Sequence, residues 1–261
     1  MSRIFITGSA DGLGRMAAQL LVAAGHEVVL HARNAARVAD ALANVNGASD
    51  AIAGDLANLR ECRAIAERAN ALGPFDAVIH NAAIGYQESR RTLTEDGLPR
   101  VFAINALAPY VLTALMHKPQ RLVYLSSGMH EGADPGLDDL AWAHREWNGS
   151  RAYAQSKLHD TILAFAIARL WPHVKSNAVT PGWVATKMGG PGAPDDLAAA
   201  PKTQVWLATS NDRTALVSGR YFYHMRQRAA DPAARDRDVQ QRLLAECARL
   251  SGIELPSATG G

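Results

Sequence analysis

Residues 3–14 read RIFITGSADGLG and decide the fold. An apolar, strand-like run, Arg3–Thr7, leads directly into a loop with glycines at positions 8, 12 and 14, and helical apolar spacing begins at Leu13. Glycines let a backbone come close to a pyrophosphate, and the free N–H groups at the start of a helix favour an anion. The segment therefore predicts a dinucleotide site. A plain tight turn is the alternative, because the spacing departs from Gly-x-Gly-x-x-Gly.

Short strand-like runs alternate with longer helical patterns through most of the chain. The predicted strands are Arg3–Thr7, Glu27–His31, Asp50–Ala53, Asp76–His80, Arg121–Ser126, Lys175–Val179 and Arg220–Tyr223. The predicted helices are Leu13–Ala24, Ala35–Ala43, Asn58–Leu72, Leu98–Met116, Arg151–Trp171 and Pro201–Thr209. Because apolar strands suit a parallel sheet covered on both faces, the pattern predicts an α/β fold, a Rossmann-type doubly wound sheet, over residues 1–225. A charged tail with one helix, Val239–Leu250, is expected over residues 226–261.

The composition excludes several classes of protein. Of 261 residues, 48% are hydrophobic and 20% are charged, which is typical of a globular chain and not of a disordered one. The 27 basic and 25 acidic residues are scattered, so neither nucleic acid nor a membrane is an expected partner. Two isolated cysteines, no leader pattern and no apolar stretch of about 18 residues indicate a cytoplasmic protein. His130 with Glu131 and His144 with Glu146 lack further ligands, so no metal site is expected.

The end of the second predicted strand, His31-Ala32-Arg33-Asn34, bears on the choice of cofactor. A carboxylate there would accept a hydrogen bond from a ribose 2′-hydroxyl and would repel a 2′-phosphate, and this stretch contains none. Arg33 instead offers a planar guanidinium that suits a phosphate. A solvated arginine is the alternative interpretation, but the missing acid favours NADP(H) over NAD(H).

Tyr153 and Lys157 lie four residues apart near the start of the longest helical pattern, which places the phenol and the ammonium on one face of that helix. A cation about 4 Å from a phenolate stabilises it by about 4 kcal/mol at an effective dielectric constant of about 20. A phenol stabilised in this way can give and take a proton near neutral pH. The pair therefore indicates acid–base chemistry, although the same spacing also occurs on ordinary surface helices.

Taken together, motifs along nearly the whole chain resemble those of the short-chain dehydrogenase/reductase family. They are Thr7-Gly-x-x-x-Gly-x-Gly14, Gly54-Asp55-Leu56, Asn81-Ala82-Ala83, Asn105, Ser126-Ser127, Tyr153-x-x-x-Lys157 and Pro181-Gly182, in the family's order. The stretches around Ser127 and Tyr153 are most similar to the retinol dehydrogenase and protochlorophyllide reductase-like branch, which is usually NADP-linked.

The resemblance implies the catalytic set Asn105, Ser127, Tyr153 and Lys157. Tyr153 would exchange a proton with the substrate oxygen, and Lys157 would bind the nicotinamide ribose hydroxyls and acidify that phenol. Ser127, rather than Ser126, would orient the carbonyl. Asn105 would hold a water that links Lys157 to solvent.

The resemblance also implies a set of cofactor-binding residues. Asp55 would contact the adenine ring, Asn81 would steady the central strand, and Val184 and Thr186 would meet the nicotinamide carboxamide. Capping of a turn or helix is the alternative role for Asp55, Asn81 and Thr186. The full predicted set is Gly8, Ser9, Asp11, Gly12, Leu13, Gly14, Arg33, Asp55, Leu56, Asn81, Ala82, Ala83, Tyr153, Lys157, Pro181, Gly182, Val184 and Thr186.

These features predict an enzyme that transfers a hydride between NADP(H) and a small carbonyl or alcohol substrate, with reduction of a ketone or aldehyde favoured. An NAD-linked alcohol dehydrogenase and a non-catalytic NADP(H)-binding redox sensor are the alternatives. Substrate choice is expected to lie in residues 85–97, 128–150 and 183–200, the last including a candidate lid. Within the second of these, Trp142 and Trp147 either line the substrate pocket or pin the loop to the core. A shortened segment before Ser127 puts the family's usual dimer in doubt and leaves a homo-oligomer open.

Overall fold

A computed structural model describes residues 1–257 of the chain and builds them around one eight-stranded sheet. The strands are β1 (Arg3–Ile6), β2 (Glu27–Ala32), β3 (Asp50–Ala53), β4 (Ala77–His80), β5 (Arg121–Leu125), β6 (Lys175–Thr180), β7 (Tyr221–Tyr223) and β8 (Arg226–Arg228). Their order across the sheet is β3-β2-β1-β4-β5-β6-β7-β8, and every neighbouring pair is parallel except β7 with β8. The predicted doubly wound sheet is confirmed, and the seven predicted strands agree with it to within one residue at either end.

The helices lie where the sequence predicts them, and their ends agree with the predicted ends to within two residues. They are α1 (Gly12–Ala23), α2 (Ala35–Asn44), α3 (Leu59–Ala71), α4 (Arg100–Phe102), α5 (Ala108–Leu115), α6 (Gly149–Leu170), α7 (Lys202–Thr209) and α8 (Arg237–Ser251). A π-helical segment, Ala103–Leu107, joins α4 to α5, so the predicted helix Leu98–Met116 is present as one helical stretch with a local widening. Side-chain oxygens cap several helix starts; that of Asn34, for example, accepts from the N–H of Arg37 at 3.0 Å.

Hydrophobic side chains cover both faces of the sheet because successive residues of a strand point to opposite sides. On β1, Phe5 joins the core formed with α3, α5 and α6, whereas Ile4 and Ile6 join the core formed with α1 and α7. Burial of each such side chain contributes about 1.5–3 kcal/mol. Since both faces are packed, the strand ends and their loops provide the surface on which a ligand site forms.

The C-terminal segment, set apart in the sequence as a charged tail, packs against the sheet domain over residues 226–257. Strand β8 pairs with β7 through a two-residue turn, His224-Met225, whose φ angles are 47° and 59°. Helix α8 buries Leu243 and Cys247 in the same core as α6. Strand β8 was not predicted, because its three residues are polar and exposed and its turn lacks the Asn-Gly or Asp-Gly signal of such hairpins.

Within residues 1–257, no helix is both long and apolar enough to cross a bilayer. Over the same residues, no three His, Cys, Asp or Glu side chains form a group that could hold a metal ion. Cys62 and Cys247 are buried free thiols.

Candidate functional site

Two cavities meet at Tyr153 at the carboxyl edge of the sheet. The first, about 660 Å³, is bounded by the glycine loop between β1 and α1 and is called here the glycine-loop cleft. The second, about 1120 Å³, is called the outer cavity and is bounded by the loops that follow β5 and β6, by strand β7 and by residues 228–232. Ligands in the two cavities would meet beside the Tyr153 phenol, since both cavities are lined by Leu13, Ser126, Tyr153, Pro181, Thr186 and Met188.

The fold brings most of the predicted site residues to these two cavities. The glycine-loop cleft is lined by Gly8, Asp11, Gly12, Leu13, Arg33, Asp55, Leu56, Asn81, Ala82, Ala83, Tyr153, Lys157, Pro181 and Thr186. Ser127, Gly182 and Val184 line only the outer cavity. Ser9, Gly14 and Asn105 line neither cavity. Ser9 is buried, and its hydroxyl donates to the carbonyl of Ile6 at 2.9 Å.

The glycine loop adopts a shape that only glycine permits at two positions. A Cβ on Gly8 would lie 2.8 Å from the Cα of Ala82, and one on Gly14 would lie 2.4 Å from the carbonyl oxygen of Gly8. Gly12 has a φ of +53°, and a Cβ there would meet nothing within 4 Å. Close packing at Gly8 and Gly14 thus shapes the loop, while Gly12 leaves open space at the start of α1, where N–H groups favour an anion.

His31 holds the glycine loop against the end of β2, a role that the sequence analysis missed. The N–H of Gly8 donates to its Nδ1 at 3.0 Å, which leaves the proton on Nε2, and Nε2 donates to the carbonyl of Gly54 at 2.9 Å. Burial lowers the pKa of His31 to about 4, so the ring is neutral near pH 7. A histidine directly after the apolar residues 28–30, at the end of the strand that follows the glycine loop, is the signal that could have revealed this role.

Positive charge surrounds the end of β2. Arg15, Arg33 and Arg37 all line the glycine-loop cleft, and Arg33 is exposed. The carboxylate of Asp11 lies in the same region, but the ammonium of Lys187 forms an ion pair with it. The hydrogen bond from Lys187 holds the pKa of Asp11 below its ordinary value. The net effect is a cationic rim suited to an anionic group.

Asp55 and Asn81 make hydrogen bonds beside the glycine-loop cleft, while the contact of Asp55 with an adenine ring stays a prediction. Oδ1 of Asp55 accepts from the N–H of Ala57 at 2.9 Å, which caps a turn, while the residue also lines the glycine-loop cleft. Nδ2 of Asn81 donates to the carbonyls of Thr7 and Gly8 at 3.0 and 3.2 Å. Asn81 therefore ties the end of β4 to the glycine loop, and its buried Oδ1 has no partner among the described residues.

Tyr153 and Lys157 lie on one face of α6, as their spacing predicts. The ammonium nitrogen of Lys157 is 5.9 Å from the centre of the Tyr153 ring. That ammonium donates to the carbonyl of Leu125 at 2.7 Å and to Oδ2 of Asp160 at 2.8 Å. An ammonium has three donors, so one remains for a ligand in the glycine-loop cleft. Tyr86 packs edge-on against Tyr153, with ring centres 5.8 Å apart.

The two serines after β5 have different surroundings. The hydroxyl of Ser126 donates to the carbonyl of Lys157 at 2.8 Å and accepts from the hydroxyl of Thr161 at 2.9 Å. The hydroxyl oxygen of Ser127 accepts from the N–H of Met129 at 3.2 Å, which leaves its own O–H for the outer cavity. The Ser126 hydroxyl is thus bonded within the fold, and the choice of Ser127 as the substrate-facing serine stays a prediction.

Asn105 lies in the π-helical segment and is fully buried. Its Oδ1 accepts from the N–H of Ile84 at 2.9 Å, and its Nδ2 donates to the carbonyl of Ile84 and the hydroxyl of Ser156, both at 3.0 Å. The Ser156 hydroxyl in turn donates to the carbonyl of Tyr153 at 2.7 Å. The side chain thus clamps the turn of α6 that carries Tyr153 to the chain beyond β4. The predicted role in holding a water stays a prediction.

The loop after β6 closes over both cavities. The N–H of Thr186 donates to the carbonyl of Val184 at 2.8 Å, and its hydroxyl oxygen accepts from the N–H of Gly189 at 3.2 Å. The N–H of Trp183 donates to Oδ2 of Asp195 at 2.6 Å. These bonds give the first part of the predicted lid an ordered turn, and the ion pair of Lys187 ties it to the glycine loop.

Trp142 and Trp147 pin the insert before α6 and line neither cavity. The indole N–H of Trp142 donates to Oε1 of Gln155 at 2.9 Å, and the guanidinium of Arg145 lies 3.7 Å from the centre of a Trp142 ring. The indole N–H of Trp147 donates to the carbonyl of Glu88 at 2.8 Å. Of the two roles weighed for these residues, the structure favours anchoring the loop.

The outer cavity is mainly apolar and aromatic. Its walls include Tyr86, Trp183, Tyr221 and Tyr223, together with methionine side chains. Residues 228–232 of the C-terminal segment also line it, a contribution that the sequence analysis missed. Burial raises the pKa of Tyr221, so its phenol remains protonated. Such walls suit a bulky, largely apolar small molecule.

Comparison with known proteins identifies relatives that match nearly the whole chain. A family model described as short chain dehydrogenase matches residues 2–125. An uncharacterized oxidoreductase of Emericella nidulans is 45% identical over 260 residues, covering 98% of this chain and 99% of its own length. Human retinol dehydrogenase 13 is 31% identical over 288 residues, covering 97% of this chain and 86% of its own. A solved structure of an uncharacterized protein from Mycobacterium paratuberculosis has a TM-score of 0.85 at 23% identity, covering 98% and 95% of the two chains, and so shares the fold.

Proposed function

Because the chain belongs to the short-chain dehydrogenase/reductase family, in the branch that includes retinol dehydrogenases, we propose that it is an NADP(H)-dependent enzyme that reduces a ketone or aldehyde to an alcohol. The observation that carries this proposal is the position of Tyr153 in the wall shared by the two cavities. A proton donor at that boundary lies where a cofactor in one cavity and a carbonyl in the other would meet.

The residues of the glycine-loop cleft fit a dinucleotide. The space beside Gly12 at the start of α1 suits the pyrophosphate, because backbone N–H groups and the helix dipole favour an anion there. Leu56 and Asp55 line the part of the cleft where the adenine ring would lie. The unpartnered Oδ1 of Asn81 is an acceptor next to the glycine loop. When bound, a nicotinamide cofactor would supply the hydride that reduces the carbonyl carbon.

The preference for NADP(H) over NAD(H) rests on the cationic rim. Arg15, Arg33 and Arg37 line the cleft, and no carboxylate occupies the end of β2. The nearby Asp11 carboxylate is offset by Lys187. A 2′-phosphate would therefore gain charge-assisted hydrogen bonds, which contribute about 1.5–3 kcal/mol each.

The chain's own residues would supply orientation and a proton. The hydroxyl of Ser127 would donate a hydrogen bond to the substrate oxygen, and the phenol of Tyr153 would transfer its proton to that oxygen as the alcohol forms. The Tyr153 phenolate left behind is stabilised by the ammonium of Lys157 and later regains a proton from solvent. The remaining N–H of Lys157 points to a role in holding the ribose, as the family resemblance implies.

The direct test is consumption of NADPH with a panel of steroid, quinone, polyketide and simple aldehyde carbonyls. We expect turnover of at least one class, and we expect Tyr153→Phe to lose about 100-fold or more of the rate, the scale of a lost general acid. Tyr110→Phe, which removes a phenol outside both cavities, is the matched control and keeps most of the rate. Tight NADPH binding without turnover of any carbonyl would instead favour a non-catalytic regulator, and full activity of Tyr153→Phe would refute the catalytic assignment.

We also propose that the protein is located in the cytoplasm. Cys62 on α3 and Cys247 on α8 are buried free thiols, as in chains that stay in a reducing environment. We expect a fluorescent fusion to be found in the cytosolic fraction.

A further inference from the structure

The buried carboxylate of Asp160 lies beside the ammonium of Lys157, the group proposed to stabilise the Tyr153 phenolate. Asp160 is 2% exposed and Lys157 is 3% exposed, and Oδ2 of Asp160 is 2.8 Å from the ammonium nitrogen. The two residues lie three apart on α6, so the helix itself sets their distance. A buried ion is stable only when its charge is paired and its hydrogen bonds are satisfied. Asp160 pairs the charge of Lys157, and Asp160 and the carbonyl of Leu125 accept two of its three hydrogen bonds.

The groups around this pair carry no other charge. From β5, Tyr124 faces Asp160, and burial raises the pKa of its phenol. The Tyr124 hydroxyl bonds to that of Thr113 on α5 at 2.8 Å, and the Thr113 hydroxyl bonds to Nε2 of His80 on β4 at 3.0 Å. Burial lowers the pKa of His80 to about 3, so this ring is neutral. Within residues 1–257, Lys157 is the one ion-pair partner of Asp160.

One oxygen of Asp160 has no partner. Its Oδ1 is buried and accepts no hydrogen bond from any described residue, although an ionised carboxylate favours several donors. Burial accordingly raises the pKa of Asp160 to about 7, against the opposing effect of Lys157. The carboxyl group is therefore protonated more readily than an exposed carboxyl group, directly beside the ammonium.

We propose that Asp160 is a positioning residue that holds the Lys157 ammonium against β5 and, when ionised, weakens the positive field that Lys157 exerts on the Tyr153 phenol. An ammonium with an anion 2.8 Å behind it acts on the phenol more as a dipole than as a full charge. Protonation of Asp160 restores the full charge. The inference rests on the proposed function, since it assigns Tyr153 as the proton donor.

The test replaces Asp160 with Asn, which keeps the size and an acceptor for Lys157 but removes the charge. Tyr153 ionisation is followed without substrate, as the near-ultraviolet phenolate absorbance of each protein minus that of its Tyr153→Phe counterpart. We expect the midpoint of this titration to fall by about one pH unit in Asp160→Asn, because removal of a nearby negative charge favours the phenolate. Glu246→Gln is the matched control, since Glu246 also pairs with a base three residues along a helix, Arg249, but far from the cavities.

Activity provides the second measurement. Reduction needs the protonated phenol, so the alkaline limb of the kcat/KM profile is expected to move to lower pH by about one unit in Asp160→Asn, with the rate below neutral pH nearly unchanged. Asp160→Ser, which also removes the charge, repeats both measurements if the Asn variant does not fold. An unchanged phenolate midpoint in a folded variant overturns the inference. Failure of the parent protein to reduce any carbonyl counts against the proposed function alone, because the absorbance titration needs no substrate.

Discussion

The N–H of Gly8 donates to Nδ1 of His31 across 3.0 Å, and this bond joins the glycine loop to the neighbouring strand. The backbone N–H of His31 donates in turn to the hydroxyl of Ser9 at 2.8 Å. These bonds hold the glycine loop against the end of β2. They therefore set the distance between the space for a pyrophosphate at the start of α1 and the cationic rim. This relationship explains why a neutral histidine lies next to the apolar residues 28–30 of β2.

Replacing His31 with Ala is expected to weaken NADPH binding about tenfold and to reduce the free energy of unfolding by about 2–5 kcal/mol, because two buried backbone groups lose their partner. Fluorescence titration with NADPH and urea denaturation measure the two effects. His144→Ala, at an exposed histidine, is the control and changes neither. If the Ala variant does not fold, His31→Asn replaces it. NADPH affinity equal to that of the parent would show that the loop does not depend on His31.

Replacing Arg33 with Ala is expected to reduce NADPH affinity by about 10- to 100-fold, the equivalent of one lost charge-assisted hydrogen bond to a phosphate. NADH lacks the 2′-phosphate, so its affinity is expected to stay within about twofold of the parent value. Isothermal titration with both nucleotides distinguishes the cases. Arg213→Ala removes an exposed arginine outside the glycine-loop cleft and serves as the control. An equal loss for both nucleotides would favour the NAD-linked alternative.

His159 is expected to make the fold sensitive to acid. Burial lowers its pKa to about 4 from the ordinary 6.5, while its Nε2 bonds to the carbonyl of Pro135 at 2.7 Å. Between pH 6.5 and 4, the unfolded chain therefore binds a proton at His159 that the folded chain does not bind. The free energy of unfolding decreases as the pH falls through this window.

Between about pH 7 and about pH 5, the protonation of His159 in the unfolded chain lowers the free energy of unfolding by about 2 kcal/mol. Urea denaturation at the two pH values should show that His159→Gln, which keeps a donor for Pro135, loses about 2 kcal/mol less than the parent. His144→Gln should behave like the parent. Parallel curves for the parent and His159→Gln would mean that His159 is charged in the folded protein.

The sequence by itself determined the order of elements and the core of the site. Alternating apolar runs predicted seven of the eight strands to within one residue, and the glycine spacing located the loop before α1. Tyr153 and Lys157 share a helix face because they are four residues apart. These features depend on contacts between residues close in the chain, where spacing and side-chain type are sufficient.

Only the tertiary structure decided which polar groups meet across elements. His31 bonds to Gly8, 23 residues away, and Ser126 bonds to the carbonyl of Lys157, 31 residues away. Residues 228–232 reach the outer cavity because β8 folds back on β7. The sequence analysis did not single out Asp160, which is buried on α6, a helix that packs against β5. Such burial and pairing arise from the relative placement of whole strands and helices, which local spacing does not encode.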